Sequence, residues 1–181
     1  RTRRERFLAE MNSVVPWADL VAVIEPYYPK TTKAGGRPPV GLERMLRIHC
    51  LQLRFDLPEP AVEEALYDSR AMRSFVGIDL GREPVPDETT ICKFRHLLAA
   101  HQLGERLFAR IGTYLATHGM KVSRGTIVDA TIIAAPSSTK NADGERDPEM
   151  HQTKKGQQWY FGMKMHVGVD SQSKVIHTVA V

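Results

Sequence analysis

The sequence has 181 residues, of which 42% are hydrophobic and 25% charged, and a formal net charge of +4. This composition excludes collagen-like, disulfide-scaffold and wholly disordered chains. The length allows one domain or two small ones, each with its own core. We expect a cytoplasmic protein, since no apolar run is long enough for a membrane span and the arginine-rich N-terminus has no signal-peptide pattern. Cys50 and Cys92 have no CxxC partner, which predicts reduced thiols.

Charge is unevenly distributed along the chain. Residues 1–54 carry ten basic and five acidic side chains, residues 55–92 carry three and nine, and residues 93–124 carry six and one. Two basic segments on either side of an acidic one are typical of a dipolar surface that attracts a polyanion with one face. On charge alone, however, solvated helix faces are the favoured interpretation.

Up to about residue 120, apolar residues recur at helical spacing between Pro and Gly residues. The predicted helices cover residues 2–11, 17–25, 40–55, 61–67, 71–76, 87–100 and 103–118. Asp87 is the predicted N-cap of the sixth helix, and Gly119 the predicted C-cap of the seventh. The predicted core face of the third helix contains Leu42, Met45, Leu46, His49 and Leu53.

After Gly119 the pattern becomes strand-like. Residues 125–134 form a β-branched run, residues 161–170 alternate strictly between apolar and polar, and residues 174–181 predict a third strand that pairs antiparallel with the second. Residues 135–158 are almost entirely polar and predict a mobile loop. Three strands without a following helix indicate an incomplete domain.

Asp129 lies in the middle of the first predicted strand. An ionised carboxylate among apolar strand residues costs free energy unless it is paired, protonated or bound to a metal. Carboxylate oxygens are the ligands that Mg²⁺ prefers, and two-metal phosphoryl chemistry shares an aspartate between the ions. Such a site needs two more carboxylates. Asp129 is therefore interpreted either as a metal ligand or as a strand-end aspartate that faces solvent or hydrogen-bonds to a neighbouring backbone group.

Basic side chains near Asp129 are candidates for contacts with nucleic-acid phosphates. Lys164 and His166 lie on the polar side of the second predicted strand, and would approach Asp129 if the two strands pair. Lys154, Lys155 and the side chains of residues 137–141 are candidates for backbone contacts from the loop. A solvent-exposed strand face and a linker explain the same residues, and the exposed face is the preferred interpretation of Lys164 and His166.

Five strings of the sequence are long and ordered. Two are G-T-I-V-D-A-T-I-I-A-A-P-S-S-T-K from Gly125 and R-D-P-E-M-H-Q-T-K-K-G-Q-Q-W-Y-F-G-M-K-M-H-V-G-V-D from Arg146. The others are G-R-P-P-V-G-L-E-R-M-L-R from Gly36, E-E-A-L-Y-D-S from Glu63 and V-P-D-E-T-T from Val85. The first two closely resemble bacterial insertion-sequence transposases of the group called insertion sequence five. The other three resemble the helical N-terminal region of the same family.

The resemblance implies an α+β fold. A helical DNA-binding and assembly domain would cover residues 1–120, and residues 121–181 would form the first three strands of an incomplete ribonuclease H-like α/β domain. Asp129 matches the family's first catalytic aspartate. The second aspartate and the glutamate of the DDE triad come from later elements. We therefore expect the chain to be incomplete at its C-terminus. We expect the same at its N-terminus, because it starts with Arg1. By itself, such a chain would not cleave or join DNA.

The resemblance also implies the cofactor and partners. They are Mg²⁺ or Mn²⁺ for phosphodiester hydrolysis and strand transfer, and double-stranded DNA in the form of terminal inverted repeats and target DNA. A homodimer in the synaptic complex and a location at the bacterial nucleoid are implied, with no membrane and no small-molecule cofactor. Two alternatives remain. One is a non-catalytic DNA-binding regulator or inhibitor of transposition, and the other is an inert pseudogene product.

The helix predicted over residues 87–100 is the candidate for contact with a DNA groove. Thr89, Thr90, Lys93 and Arg95 lie near its N-terminal half, after a predicted helical hairpin. Recognition helices contact base edges with their N-terminal residues, which is why these four side chains are DNA-binding candidates.

Overall fold

The computed structural model describes residues 2–30, 38–120, 126–135, 145, 148 and 150–180. These residues form helices followed by strands, which confirms the α+β class. The helices are α1 Arg3–Val14, α2 Trp17–Ile24, α3 Leu42–Phe55, α4 Glu59–Asp68, α5 Arg70–Val76, α6 Glu88–Ala100 and α7 Leu103–Thr117, and a short 3₁₀ helix, Glu25–Tyr27, follows α2. The strands are β1 Thr126–Ala134, β2 His151–Lys155, β3 Gln158–Asp170 and β4 Ile176–Ala180.

Local capping chemistry sets several helix ends. Thr2 and Glu5 form a capping box at the start of α1, and the Asp87 side chain accepts a hydrogen bond from the Thr90 amide at the start of α6. Gly119 follows α7 with a φ of 68°, the left-handed conformation that glycine adopts without strain. Both caps that the sequence predicts are therefore in place.

The chain divides into two compact units, Arg1–Ile111 and Gly112–Val181. The first has a core of aliphatic and aromatic side chains, in which the Trp17 and Phe75 rings meet edge to face with centroids 5.7 Å apart. α3 is its central helix and contacts α2, α4, α5 and α6. Because α3 has neighbours on several sides, its buried residues do not form one narrow stripe. They are Met45, Leu46, Ile48, Leu51 and Gln52.

Two predictions about side-chain burial in this unit have different outcomes. The assignment of Leu53 to the core face of α3 is wrong, because its side chain is 73% exposed. Cys50 and Cys92, which their apolar-periodic segments predict to be buried reduced thiols, are free but only half-buried. Burial raises the pKa of the Cys50 thiol to about 11, so this cysteine is an unreactive thiol at neutral pH.

No single helix of the described ranges is long and apolar enough to cross a membrane. By length and composition alone, the pair formed by α1 and residues Trp17–Tyr27, bent by 70° between its halves, passes the same test.

The second unit contains an antiparallel sheet with β3 as its central strand. β1 pairs with β3 along one edge, while β2 and β4 pair with successive halves of the other edge. The sequence predicts a loop over residues 135–158, whereas residues 151–155 form β2. Strand β2 is polar and depends on its pairing with β3, so no local hydrophobic pattern marks it. Of the remaining loop, residues 136–144, 146, 147 and 149 lie outside the described residues.

Candidate nucleic-acid and metal-binding residues

Asp129 is the fourth residue of β1 and its side chain is exposed. Its Oδ1 accepts a hydrogen bond from the Ala130 amide at 2.8 Å. The apolar neighbours Ile127 and Val128 are also exposed, by 50% and 67%. Within the described residues, the carboxylate therefore does not bear the desolvation cost that the apolar sequence of β1 suggested. The Asp129 carboxylate is solvent-accessible and hydrogen-bonded to the adjacent backbone, and its role as a metal ligand stays a prediction.

The strand register separates Asp129 from Lys164 and His166. Asp129 pairs with Val167, whereas Ala130 pairs with His166 and Ile132 with Lys164. Directly paired residues of antiparallel strands share a face, and successive residues alternate between faces. The expectation that Lys164 and His166 approach Asp129 across the strand pair is therefore wrong. The two basic side chains are exposed on the opposite face of the sheet.

The hairpin of β2 and β3 contains the other basic candidates. Lys154 pairs with Trp159, and its Nζ lies 5.8 Å from the centroid of that ring. Trp159 is 65% exposed, and the sequence prediction did not include it. An exposed tryptophan beside a lysine is the signal that could have identified it, because such pairs occur on nucleic-acid-binding surfaces. The Lys155 side chain and residues 137–141 lie outside the described part of the chain.

The first turn of α6 is occupied by carboxylates from its own cap and from α4. Asp87 Oδ1 accepts hydrogen bonds from Thr90 N at 2.7 Å and from Thr89 Oγ1 at 2.8 Å. Glu63 Oε2 accepts one from Glu88 N at 2.7 Å. Thr89 and Thr90 thus lie in a hydrogen-bonded acidic environment, in which a DNA phosphate would meet like charge.

Further along α6, Lys93 is exposed, while Arg95 has a carboxylate partner. Arg95 Nε lies 2.6 Å from Glu59 Oε1, and this ion pair joins α6 to α4. The Arg95 side chain remains 54% exposed, whereas that of Glu59 is 18% exposed. A DNA phosphate would therefore compete with Glu59 for the Arg95 guanidinium. Arg95 thus has a structural role in joining α6 to α4, and its contact with DNA stays a prediction.

Two family models match consecutive parts of the sequence. Residues 1–97 match the transposase domain DUF772, and residues 121–181 match the transposase DDE domain. The chain belongs to the DDE transposases of insertion sequences. The narrower assignment to the group called insertion sequence five stays a prediction. No solved structure is significantly similar to this transposase chain.

The DDE transposases generally use a divalent metal, which needs several oxygen ligands from the protein. Asp129 supplies one hard oxygen ligand of the kind that such ions prefer. No group of three His, Cys, Asp or Glu side chains suited to a metal ion exists among the described residues. Asp143, Asp147 and Glu149, acidic residues of the predicted loop that are the nearest further carboxylates in sequence, lie outside them. Among the described residues of the transposase chain, Asp129 is thus suited to be one ligand of a metal ion, but no complete set of ligands is present.

Asp170 is an acidic residue with a structural environment. It ends β3, is 1% exposed, and its Oδ1 accepts hydrogen bonds from Ser173 N at 2.7 Å, Ser173 Oγ at 2.8 Å and Gln172 N at 3.0 Å. The hydrogen bonds from Ser173 hold the pKa of the Asp170 carboxyl below its usual value, although burial opposes them. The Asp170 side chain therefore holds the turn that joins β3 to β4.

Replacing Asp170 with Ala is expected to destabilise the β3–β4 hairpin, because two backbone amides and one hydroxyl lose their acceptor. A carboxyl whose pKa is lowered by folding stabilises the folded state above its unfolded pKa. That contribution is lost as the pH falls through the range below about 4. We expect the unfolding free energy of the Asp170→Ala variant to lack this acid-range decrease, measured by denaturant titration across pH. Asp170→Asn, which keeps an acceptor oxygen, is the control and should be less destabilised. Equal pH profiles for Asp170→Ala and the unsubstituted chain would contradict the prediction.

Proposed function

We propose that this chain is the part of a DNA transposase that binds the terminal inverted repeats of its element and supplies the first catalytic aspartate. Residues 1–120 would bind and assemble on DNA, and residues 121–181 would begin the catalytic domain. The observation that carries the proposal is the consecutive match to two transposase domains, with Asp129 exposed on the first strand of the second match. The proposed reaction is Mg²⁺-dependent or Mn²⁺-dependent phosphodiester hydrolysis followed by strand transfer to target DNA, in a homodimeric complex at the nucleoid.

In this proposal, Asp129 contributes an anionic oxygen ligand. When bound, the divalent ions supply Lewis-acid stabilisation of the attacking and leaving oxygens. The hydrogen bond from the Ala130 amide would orient the Asp129 carboxylate before any ion binds. Lys164, His166 and Lys154 are proposed to contact DNA phosphates at other parts of the sheet, because all three side chains are exposed and have N–H groups that can donate to a phosphate oxygen. Thr89, Thr90, Lys93 and Arg95 stay predictions for contact through α6.

A second candidate is a non-catalytic regulator that occupies the element's ends. It is favoured by the single metal-ligating carboxylate at Asp129, since no trio of such side chains exists in the parts of the chain that the structure describes. Such a protein would compete with an intact transposase for the same DNA. A decrease in transposition when residues 1–181 are added to an active transposase would support this candidate.

We expect residues 1–181 to bind a duplex that carries the inverted repeats flanking its coding sequence, and not to cleave it in the presence of Mg²⁺. The reason is that one carboxylate cannot hold two ions. Fluorescence anisotropy measures the affinity, and a denaturing gel measures strand cleavage. The matched control is a duplex of the same length and composition with the repeats scrambled. Equal affinities for both duplexes at physiological salt would contradict repeat-specific binding, and cleavage would contradict the requirement for further carboxylates.

A further inference from the structure

Four exposed arginines lie on α1 and α3, and the sequence prediction of DNA-binding residues did not include them. Three of them lie in the first two turns of α1, and the fourth lies in the last turn of α3. All four side chains are exposed. We call them the α1–α3 arginine cluster, which consists of Arg3, Arg4, Arg6 and Arg54. The R-T-R-R-E-R string at the start of the sequence and the net positive charge of residues 1–54 are the signals that could have identified it.

Two members of the cluster are held on aromatic rings between the helices. The Arg54 guanidinium lies 4.5 Å from the centroid of Phe7, and that of Arg4 lies 5.4 Å from the centroid of Phe55. The two rings contact each other edge to face at 6.5 Å and join α1 to α3. A guanidinium over a ring is oriented by it, while its N–H groups remain able to bind a phosphate bidentately. The stacking therefore preorganises Arg4 and Arg54 for an anion.

The positive charge of the cluster is not neutralised within the described residues. None of its four guanidinium groups has a described carboxylate within 4.0 Å. Glu5 is the acidic residue in the first turn of α1, and its Oε2 accepts a hydrogen bond from Thr2 N at 2.8 Å. The Glu5 amide in turn donates to Thr2 Oγ1 at 3.1 Å. The capping box therefore uses the Glu5 carboxylate at the helix start, and this carboxylate forms no ion pair with the cluster.

The arginines of the cluster on α1 lie at the end of the helix where the helix dipole makes positive charge unfavourable. Cations are unfavourable at a helix N-terminus and favourable at a C-terminus. α1 has its arginines at the N-terminal end and no basic residue in its last turn. An external anion would offset this cost. α6 presents the opposite case, since Glu59, Glu63 and Asp87 surround its N-terminal half.

We propose that the α1–α3 arginine cluster binds the phosphate backbone of double-stranded DNA. The proposal rests on the proposed function and names the surface of the first unit through which DNA is held. Arginine matches the bidentate geometry of a phosphate, and the positive charge of these four arginines is free to attract the densely charged backbone of a duplex, because no described carboxylate lies within 4.0 Å of them. The contact is independent of base sequence, so it positions the protein on DNA and leaves the recognition of inverted repeats to other residues.

The test compares two double variants that remove equal charge from the first unit. Arg4→Gln with Arg54→Gln changes the cluster, and Arg70→Gln with Arg82→Gln changes two exposed arginines outside it, of which Arg82 is 86% exposed. The dissociation constant of a fluorescein-labelled duplex of arbitrary sequence is measured across a salt series. We expect the cluster variant to bind about tenfold or more weakly at about 0.1 M salt, with a salt slope reduced by about two, because each phosphate contact contributes about 0.9 to the slope. The control variant should match the unsubstituted chain.

Thermal unfolding shows whether the cluster variant is folded. If it is not, Arg3→Gln with Arg6→Gln provides the same charge change without removing the guanidinium–ring contacts of Arg4 and Arg54. Unchanged affinity and salt slope in a folded cluster variant would overturn the inference. The inference would also be overturned if a Lys93→Gln/Arg95→Gln variant lost more affinity for the duplex than the cluster variant does. The same holds if the cluster variant keeps its affinity for the duplex and loses affinity only for vesicles containing phosphatidylglycerol. If the unsubstituted chain does not bind any duplex at low salt, the proposed function fails together with this inference. If the unsubstituted chain binds and the folded cluster variant binds equally well, only the inference about the cluster fails.

Discussion

Replacing Asp129 with Asn is expected to reduce strand cleavage by more than about a hundredfold in a transposase that combines residues 1–181 with the second aspartate and the glutamate of the family. Substitution of outer-shell partners of a metal site alone costs about 10–100-fold, and Asp129 is proposed to be a direct ligand. Asn keeps the size of Asp129 and an oxygen that accepts the hydrogen bond from the Ala130 amide. It removes the negative charge that a divalent ion requires.

The same substitution is expected to leave folding and DNA binding unchanged. Asp129 is exposed and lies on the opposite face of the sheet from Lys164 and His166. The unfolding free energy should therefore change by no more than about 0.5 kcal/mol, as for other surface substitutions. Cleavage of an end-labelled duplex and the dissociation constant for the uncleaved duplex are measured on the same preparation. The dissociation constant should equal that of the unsubstituted protein.

Thr131→Ala is the matched control for Asp129→Asn. Thr131 is exposed two residues further along β1, so it shares the face of Asp129. This variant should cleave at the unsubstituted rate. A folded Asp129→Asn protein with full cleavage activity would remove Asp129 from the proposed site. Equal losses in both variants would mean that the strand surface, and not the carboxylate, is what cleavage needs.

The helices could be predicted from the sequence because their signals are local. The capping residues Thr2 and Asp87 act on amides within three residues, and the apolar periodicity of α3 is contained in the helix itself. The exposed Leu53 was assigned to the core because its spacing fits an apolar stripe. Which side of α3 is buried depends on how α2, α4, α5 and α6 surround it, and periodicity within one helix does not contain that information.

The geometry of the candidate site could not be predicted, because it depends on strand register. The alternation along β3 correctly separates Met165 and Val167 from Lys164 and His166. It does not specify which of these residues pairs with Asp129. A shift of one residue in the pairing transfers a side chain to the other face, and the register pairs Asp129 with Val167. Strand β2 could not be predicted for a related reason, since its own residues are polar and it forms only by pairing across a turn with β3, which contributes the aromatic partners Phe161, Tyr160 and Trp159.

Gly162 is expected to be the position of the second unit that is least tolerant of a side chain. It pairs with Ala134 on one edge of β3 and with His151 on the other, and its φ is 150°. A Cβ atom there would lie 2.0 Å from the carbonyl oxygen of Ile133 and 3.1 Å from Cα of Ala134. These are backbone atoms of β1, which cannot move away without breaking the pairing of β1 with β3.

Gly162→Ala is therefore expected to destabilise the second unit by about 3 kcal/mol or more, since backbone strain and a steric clash act at the same residue. Hydrogen exchange of the amides of β1 and β3 measures the loss of pairing directly. Gly156→Ala is the control, because Gly156 also has a positive φ, 63°, but a Cβ atom there meets no atom within 4 Å. Its cost should be about 1 kcal/mol, the strain of the left-handed conformation alone. Equal exchange rates in the two variants would show that β1 adjusts to the clash. If the exchange protection of β1 is lost only in Gly162→Ala, then the strand that positions Asp129 depends on a glycine in its neighbour. Cleavage by the transposase completed with the second aspartate and the glutamate should then fall in that variant, although the Asp129 carboxylate is intact.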